Sequence, residues 1–182
     1  MIYFKYTFYF MVLFMFVAVL PVTAGPLHKA AKSGDMEEVK KLIAEGKNVN
    51  EKKKFSKKTP LMYAVENDRI NIAKLLLAKG AETNDADTLG DTALLKAAEK
   101  TNLDIMKMLL KNGADVNATN NNGDTPLLNV TKKGHIVAVE LLLSYNPIID
   151  VKNADGETAL NSATSRGFKN IEKLLKSSAA KN

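Results

Sequence analysis

Two histidines, His28 and His135, are the residues of this 182-residue chain best suited to transfer protons near neutral pH. For covalent catalysis, either one would need a nucleophile beside it and a third side chain to orient the ring. The sequence has no cysteine, and no such set is visible near either histidine. We therefore expect no enzyme and no cofactor, and a hydrolase that uses one of these histidines is the least favoured function.

Acidic residues gather at Glu82, Asp85, Asp87 and Asp91, in the stretch AETNDADTLGD. Carboxylates this close together could bind Ca²⁺, but the sequence here lacks a twelve-residue calcium loop that ends in glutamate. Runs of charge usually face water. We expect a solvated loop and no metal site.

The stretch KNVNEKKKFSKK, residues 47–58, carries the opposite charge, with six lysines against Glu51. It is either a solvated loop or a docking site for an acidic protein surface, an anionic lipid or nucleic acid. Nucleic acid is not expected, because Phe55 is the one aromatic residue of the stretch that could stack on a base. Membrane contact is expected only if an apolar N-terminal segment stays attached and holds the lysines near a lipid surface.

Residues 1–24 differ from the rest of the chain. Lys5 is followed by the uncharged run of residues 8–20, a proline and the small residues Val22-Thr23-Ala24. This order is typical of a secretory signal peptide, here cleaved after its last alanine. The alternative is an uncleaved anchor at residues 6–24, which are just enough to cross a bilayer. We expect an exported protein, periplasmic or secreted, and the absence of cysteine suits an oxidising compartment.

The chain after residue 24 is built from one unit that recurs every 33 residues. The segments TPLM, TALL, TPLL and TALN begin at Thr59, Thr92, Thr125 and Thr158. Threonine before apolar residues at helical spacing predicts a capped helix, and the glycines behind it predict a turn, a second helix and its end. An earlier unit, which starts with PLHKAAKSGD at Pro26, fits if one residue is inserted in the connection behind it. Such a unit buries its apolar face by stacking on its neighbours.

This pattern, TPLHxAA followed by a glycine turn and a second helix of the type VxxLLxxGADVN, resembles the ankyrin repeat family. The resemblance covers five units, at about residues 25–53, 54–86, 87–119, 120–152 and 153–178, in a domain spanning 25–182. It implies an all-α ankyrin-repeat solenoid, in which helix-turn-helix units carry β-hairpin fingers. We expect the polar first and last units to cap a complete array, and we expect a monomer. The lysine- and asparagine-rich usage and the signal resemble exported bacterial ankyrin-repeat proteins.

Asp68 and Thr101 stand where the other units have a glycine between their two helices. A β-branched residue tolerates a left-handed backbone poorly. We therefore expect the turn at Thr101 to shift by one residue and to use Asn102.

The resemblance also implies a function, because ankyrin repeats bind proteins with their finger tips and the exposed side of each first helix. We expect a non-enzymatic protein-binding module, acting as an accessory to an envelope enzyme or as a secreted effector. The alternative is a membrane-anchored adaptor or scaffold. Carried over unit by unit, the contact residues are Phe55, Ser56, Lys58, Glu66, Asn67, Thr88, Leu89, Asp91, Glu99, Lys100, Asn121, Asn122, Asp124, Lys132, Lys133, Ala154, Asp155, Glu157, Ser165 and Arg166.

Overall fold

A computed structural model describes residues 25–180. The signal peptide or anchor expected at residues 1–24 lies outside the described residues. Between residues 25 and 180 the chain forms ten α-helices and no β-strand. They are α1 (Pro26–Ser33), α2 (Met36–Ala44), α3 (Pro60–Glu66), α4 (Ile70–Ala78), α5 (Ala93–Lys100), α6 (Leu103–Lys111), α7 (Pro126–Lys132), α8 (Ile136–Leu143), α9 (Ala159–Ser165) and α10 (Lys169–Ala179). None of these helices is long and apolar enough to cross a membrane.

The helices pair within each unit and stack between units, which confirms the all-α solenoid. Odd-numbered helices form one layer and even-numbered helices a second, with each helix packed on its counterpart in the next unit. Leu27, Leu61, Leu94 and Leu127 occupy the same place in successive units and are at most 1% exposed. A single helix pair could not bury these leucines, so the core depends on stacking.

The predicted threonine caps are present in four units. Thr59, Thr92, Thr125 and Thr158 each accept a hydrogen bond from the backbone N–H three residues later, at 3.1–3.3 Å. Each such cap is worth about 1 kcal/mol of helix stability. In the first unit Gly25 stands at this position and α1 has no side-chain cap.

The expected shift of the turn at Thr101 is wrong. Thr101 itself takes the left-handed backbone, with φ 54° and ψ 33°, and its hydroxyl donates to the Lys100 carbonyl at 2.7 Å. Asn102 has φ −81° and caps α6, accepting from the Ile105 N–H at 3.2 Å. The cap fixes the register of the turn, so the β-branched residue carries the strain.

Asparagine side chains tie each unit to the next on the side of the second helices. Asn50 donates to the Gly80 carbonyl at 3.0 Å and accepts from the Glu82 N–H at 2.8 Å. Asn84 makes the same pair of bonds one unit later, at 3.1 and 2.8 Å. Asn117 makes the accepting bond, at 2.7 Å, and within the described residues its side chain has no donating counterpart. These three residues are called the asparagine ladder below.

Candidate protein-binding surface

Four loops between units, here called fingers 1 to 4, cover residues 47–58, 81–91, 114–124 and 147–157. In fingers 2 to 4 one side chain shapes the turn: Asp87, Asn120 and Asn153 each accept from two backbone N–H groups, at 2.8–3.1 Å. The backbone N–H of each of these residues donates to the carbonyl four residues later, at 3.0–3.2 Å. The fingers therefore end in tight turns, as expected. The expected β-hairpins are not formed, because the described residues contain no β-strand.

Finger 1 contains the extra residue that the repeat register requires. Its closing bond joins Lys53 N–H to the Lys58 carbonyl at 3.0 Å, a separation of five residues where the later fingers have four. Lys57 takes a left-handed backbone with φ 53°, which is the conformation that glycine supplies in the later fingers. This longer turn places a run of lysines at the tip.

Backbone hydrogen bonds link the finger tips into one continuous edge. Thr88 N–H donates to the Ser56 carbonyl at 3.0 Å, and Asn121 N–H donates to the Leu89 carbonyl at 2.9 Å. Fingers 3 and 4 are joined in the same way, at 2.7 Å. All of these linked positions are predicted contact residues, so the structure brings the four tips together as the resemblance implies.

A buried lysine that the sequence pattern did not single out lies beneath fingers 1 and 2. Lys96 is 5% exposed, and its Nζ lies 2.8 Å from Asp87 Oδ2, 3.1 Å from Glu66 Oε1 and 3.4 Å from Asp91 Oδ2. Lys58 Nζ contacts the same Glu66 oxygen at 2.6 Å. These five residues form the Lys96 cluster. Asp87 is buried within it, so the expected solvation of this acidic loop is wrong for Asp87, whereas Glu82 is exposed.

The Lys96 cluster holds its charges in the ionised state. Burial tends to raise the pKa of Asp87, but hydrogen bonds from the Lys96 ammonium and from the Leu89 N–H outweigh it, and the pKa lies below the usual value. Burial tends to lower the pKa of Lys96, but the Asp87 and Glu66 carboxylates outweigh it, and the pKa is raised. A lysine among three carboxylates is thus a fixed structural cation at neutral pH.

A second set of ion pairs lies under fingers 3 and 4. Lys132 Nζ is 2.9 Å from Asp124 Oδ1 and 3.2 Å from Glu157 Oε2, and Arg166 lies 3.6 Å from the other Glu157 oxygen. Burial tends to lower the pKa of Lys132, but the Asp124 and Glu157 carboxylates outweigh burial and the pKa is raised. For Glu157, hydrogen bonds from Ser162 and Lys132 outweigh burial and lower the pKa.

Many of the predicted contact residues are therefore committed to partners within the chain. Lys100 pairs with Asp68, and the Asn67 amide donates to the Tyr63 carbonyl at 2.8 Å. Asn121 and Ser165 are exposed but donate to the Thr88 and Ser162 carbonyls at 3.0 and 3.1 Å. The remaining predicted side chains with high exposure are Phe55, Thr88, Leu89, Glu99, Asn122, Lys133, Ala154 and Asp155. Phe55 and Leu89, at 83% and 62% exposed, are the most exposed large apolar side chains of the described residues.

These two side chains lie at adjacent finger tips, Phe55 among the lysines of finger 1 and Leu89 in the acidic finger 2. Lys53, Lys54 and Lys57 flank Phe55 in finger 1, and no carboxylate of the described residues lies within 4 Å of their ammonium groups. Lys54 Nζ lies 5.8 Å from the centre of the Phe55 ring, within cation–π range. We call Phe55, Leu89, Lys53, Lys54 and Lys57 the tip patch. It combines two exposed apolar side chains with three lysines that have no ion-pair partner among the described residues. Of these lysines, Lys53 is half-buried, with its Nζ 5.8 Å from the centre of the Tyr63 ring.

Neither histidine lies in a catalytic arrangement. His28 is buried, and its Nε2 hydrogen-bonds the Glu51 and Lys58 carbonyls at 2.7 and 3.1 Å, joining finger 1 to the first unit. His135 is exposed at the start of α8. Within the part of the chain that is described, no group of three or more histidine, aspartate or glutamate side chains is placed to hold a metal ion.

Comparison with known proteins identifies the repeats. A family model described as "Ankyrin repeats (3 copies)" matches residues 27–120 and 112–182. Inversin from Gallus gallus is 41% identical over 70 residues, covering 38% of this chain and 6% of that protein. Inversin from Danio rerio is 39% identical over 75 residues, covering 41% of this chain and 7% of the relative. Inversin from Mus musculus is 37% identical over 70 residues, with 38% and 7% covered. The chain thus matches less than a tenth of the length of these relatives.

Proposed function

We propose a specific binding role from one premise: the chain belongs to the ankyrin repeat family, and ankyrin repeats are protein–protein interaction modules. The role is to bind an acidic segment of a partner protein that also carries an exposed apolar side chain. The contact is made at the tip patch and continues along the linked finger tips. The binding requires no catalysis by this chain.

The observation that carries this proposal is the tip patch itself. Apolar anchors surrounded by polar residues are the usual centre of protein interfaces, and Phe55 and Leu89 supply such anchors. The ion-paired residues on either side are compensated within the chain, whereas Lys53, Lys54 and Lys57 are not. An acidic partner would gain both steering and complementarity from this arrangement.

The finer part of the proposal concerns location. We propose that residues 1–24 export the chain, and that it acts in the periplasm or after secretion, as an accessory to an envelope enzyme or as an effector. The sequence order of Lys5, an apolar core and small residues supports export. The second candidate is an adaptor anchored by residues 6–24, which the same apolar run supports. The mass of protein extracted from membranes separates the two, because an anchor retains its N-terminus and a cleaved signal does not.

The binding proposal is tested by quantitative capture of partners from native extract with matched variants. Phe55→Ala combined with Leu89→Ala should reduce recovery of a saturable partner at least tenfold, because two interface anchors are removed. The control is Val137→Ala with Ile148→Ala, which removes two apolar side chains that are 54% and 55% exposed at other places. Equal recovery with both pairs would contradict the choice of surface.

The charge requirement is tested separately. Replacing Lys53, Lys54 and Lys57 by glutamine should weaken capture and reduce its sensitivity to salt, because the steering charges are lost. The matched control replaces Lys74, Lys107 and Lys173, which are exposed on second helices, by glutamine. Binding of the unaltered protein to phosphatidylserine vesicles, with no protein partner recovered, would favour a lipid surface over an acidic protein.

A further inference from the structure

Gly25 lies at the start of α1, against two polar side chains. Gly25 is buried. A Cβ placed on it would overlap the Glu51 carboxylate and lie 2.8 Å from His28 Nδ1. A carboxylate from finger 1 and a histidine ring from α1 therefore converge on this one residue, and any side chain there would displace them.

The histidine presents a hydrogen-bond acceptor toward Gly25. His28 Nε2 lies 2.7 and 3.1 Å from two carbonyl oxygens, those of Glu51 and Lys58. Carbonyls accept only, so Nε2 carries the ring proton and Nδ1 of the neutral ring is left as an acceptor. The residue is 2% exposed, and Nδ1 has no donor among the described residues. A buried acceptor without a donor is costly.

An acceptor lone pair and a carboxylate together suit an ammonium group, which has three donors and a positive charge. We propose that a peptidase hydrolyses the bond between Ala24 and Gly25, and that the α-ammonium of Gly25 then binds the Glu51 carboxylate and His28 Nδ1. In that step water adds across the peptide bond, Ala24 keeps the new carboxylate, and the released Gly25 amine takes up a proton. The sequence Val22-Thr23-Ala24 before Gly25 has the small residues that such cleavage needs.

The site also resolves an electrostatic conflict at the start of α1. A positive charge at a helix N-terminus is disfavoured by the helix dipole. The Glu51 carboxylate lies beside Gly25 and offsets this charge, and it is the negative group that the uncapped helix otherwise lacks. The inference rests on the proposed export, because only a processed chain has an ammonium at Gly25.

The ammonium site is tested with a cycle of four proteins. One chain begins at Gly25, released by a protease that leaves no added residue, and one begins at Val22, which moves the ammonium up to roughly 10 Å along the chain. Each is made with Glu51 and with Glu51→Gln. For a partly exposed pair we expect Glu51→Gln to lower Tm by about 2 °C in the chain beginning at Gly25. In the chain beginning at Val22, Glu51→Gln should lower Tm by less than half as much. The control Glu45→Gln alters an exposed residue and should change Tm equally in the two chains.

The pH dependence adds a readout that packing alone would not give. The extra shift in the chain beginning at Gly25 should be present at pH 6.5 and lost at pH 9.5, because an α-amino group titrates near roughly pH 8. Equal shifts for both starts, or a difference that persists at pH 9.5, would overturn the ammonium site.

Processing is checked independently by the intact mass of the full-length protein after export from a bacterial host. A mass that begins at Gly25 is expected, and a mature chain that begins at any other residue overturns the proposal. None of these measurements involves a binding partner. Failure of the tip-patch proposal would therefore leave them unaffected, and their failure would leave the tip patch untouched.

Discussion

Replacing Lys96 with methionine removes one charge from the interior while keeping an unbranched side chain of similar length. Glu66 retains Lys58 at 2.6 Å, and Asp91 retains the Asn120 amide at 3.2 Å. Asp87 is affected most, because its side chain is 1% exposed and its Oδ2 faces the Lys96 ammonium at 2.8 Å. Its other oxygen still accepts from two backbone N–H groups. The variant therefore leaves one buried carboxylate oxygen without its cation.

The expected cost can be derived from that geometry. Removing one partner of a buried ion pair typically costs about 3–5 kcal/mol, and the remaining backbone donors to Asp87 favour the lower end, about 3 kcal/mol. For a chain of this size that corresponds to a fall in Tm of about 6–12 °C. Asp87→Asn should relieve part of the penalty, because the amide keeps the two accepted bonds without a buried charge. The double variant Lys96→Met with Asp87→Asn should then be at least about 1.5 kcal/mol more stable than the two single effects predict.

The assay is urea unfolding followed by circular dichroism at 222 nm, since the chain has no tryptophan for fluorescence. The control is Lys74→Met, which alters an exposed lysine on α4 and should stay within about 0.5 kcal/mol of the unaltered protein. The reasoning is refuted if Lys96→Met is no more destabilising than Lys74→Met. Strict additivity of the Lys96 and Asp87 variants would refute the claim that these two groups interact.

Three further predictions test individual features of the fold. In the folded protein the pKa of Asp87 lies below its ordinary 3.8. The stability that the Asp87 carboxylate contributes is therefore present above pH 3.8 and is lost as the pH falls through and below that value. Urea unfolding at pH 6 and pH 3 should show that the difference in free energy of unfolding between the unaltered protein and Asp87→Asn is smaller in acid. Thr101→Gly should raise the free energy of unfolding by about 0.5–1 kcal/mol by removing left-handed strain, whereas Asn102→Gly should lower it by removing the cap of α6, and the same sign for both would contradict this. Thr125→Ala should cost about 1 kcal/mol through loss of its bond to the Leu128 N–H, and thermal unfolding of Thr119→Ala, an exposed loop change, should show almost none of that loss.

The stacked helix pairs could be predicted because the sequence repeats the signals that local physics requires. Thr125 before Pro126 and Leu127 is sufficient to start a helix, and the structure confirms the hydroxyl cap. The turn at Thr101 could not be predicted in the same way. Its backbone is set by a competition between β-branched strain and the cap that Asn102 makes one residue later, and sequence shows the two preferences without their relative weights.

The Lys96 cluster was missed because its members come from two units. Glu66, Asp87 and Asp91 are 30, 9 and 5 residues before Lys96 in the sequence, and stacking brings them together. The sequence did contain a signal. Lys96 stands at the repeat position that Tyr63 holds one unit earlier, so it introduces a charge on a first helix next to an acidic finger.

The predicted contact surface illustrates a related limit. Family resemblance assigns positions such as Glu66, Asp124 and Lys132 to a binding face, but it cannot show whether neighbouring units neutralise their charges. The structure shows that Glu66 pairs with Lys96 and Lys132 pairs with Glu157 across units, whereas Asp124 pairs with Lys132 within one unit. The exposure of Phe55 and Leu89 could be predicted from the sequence, because a side chain at the end of a turn has few neighbouring residues that could bury it.

The asparagine ladder bears on how the array opens. Asn50 and Asn84 each donate one hydrogen bond to the backbone of the next unit and accept one from it. In the described chain the third rung of the ladder, Asn117, makes the accepting bond alone. In a linear array each unit is held by its neighbours, so the junction with the fewest bonds has the lowest free energy of separation. The Asn117 rung joins the third unit to the fourth. Unfolding fluctuations should therefore separate the last two units first, leaving fingers 1 and 2, and the tip patch they carry, on the portion that stays closed longest.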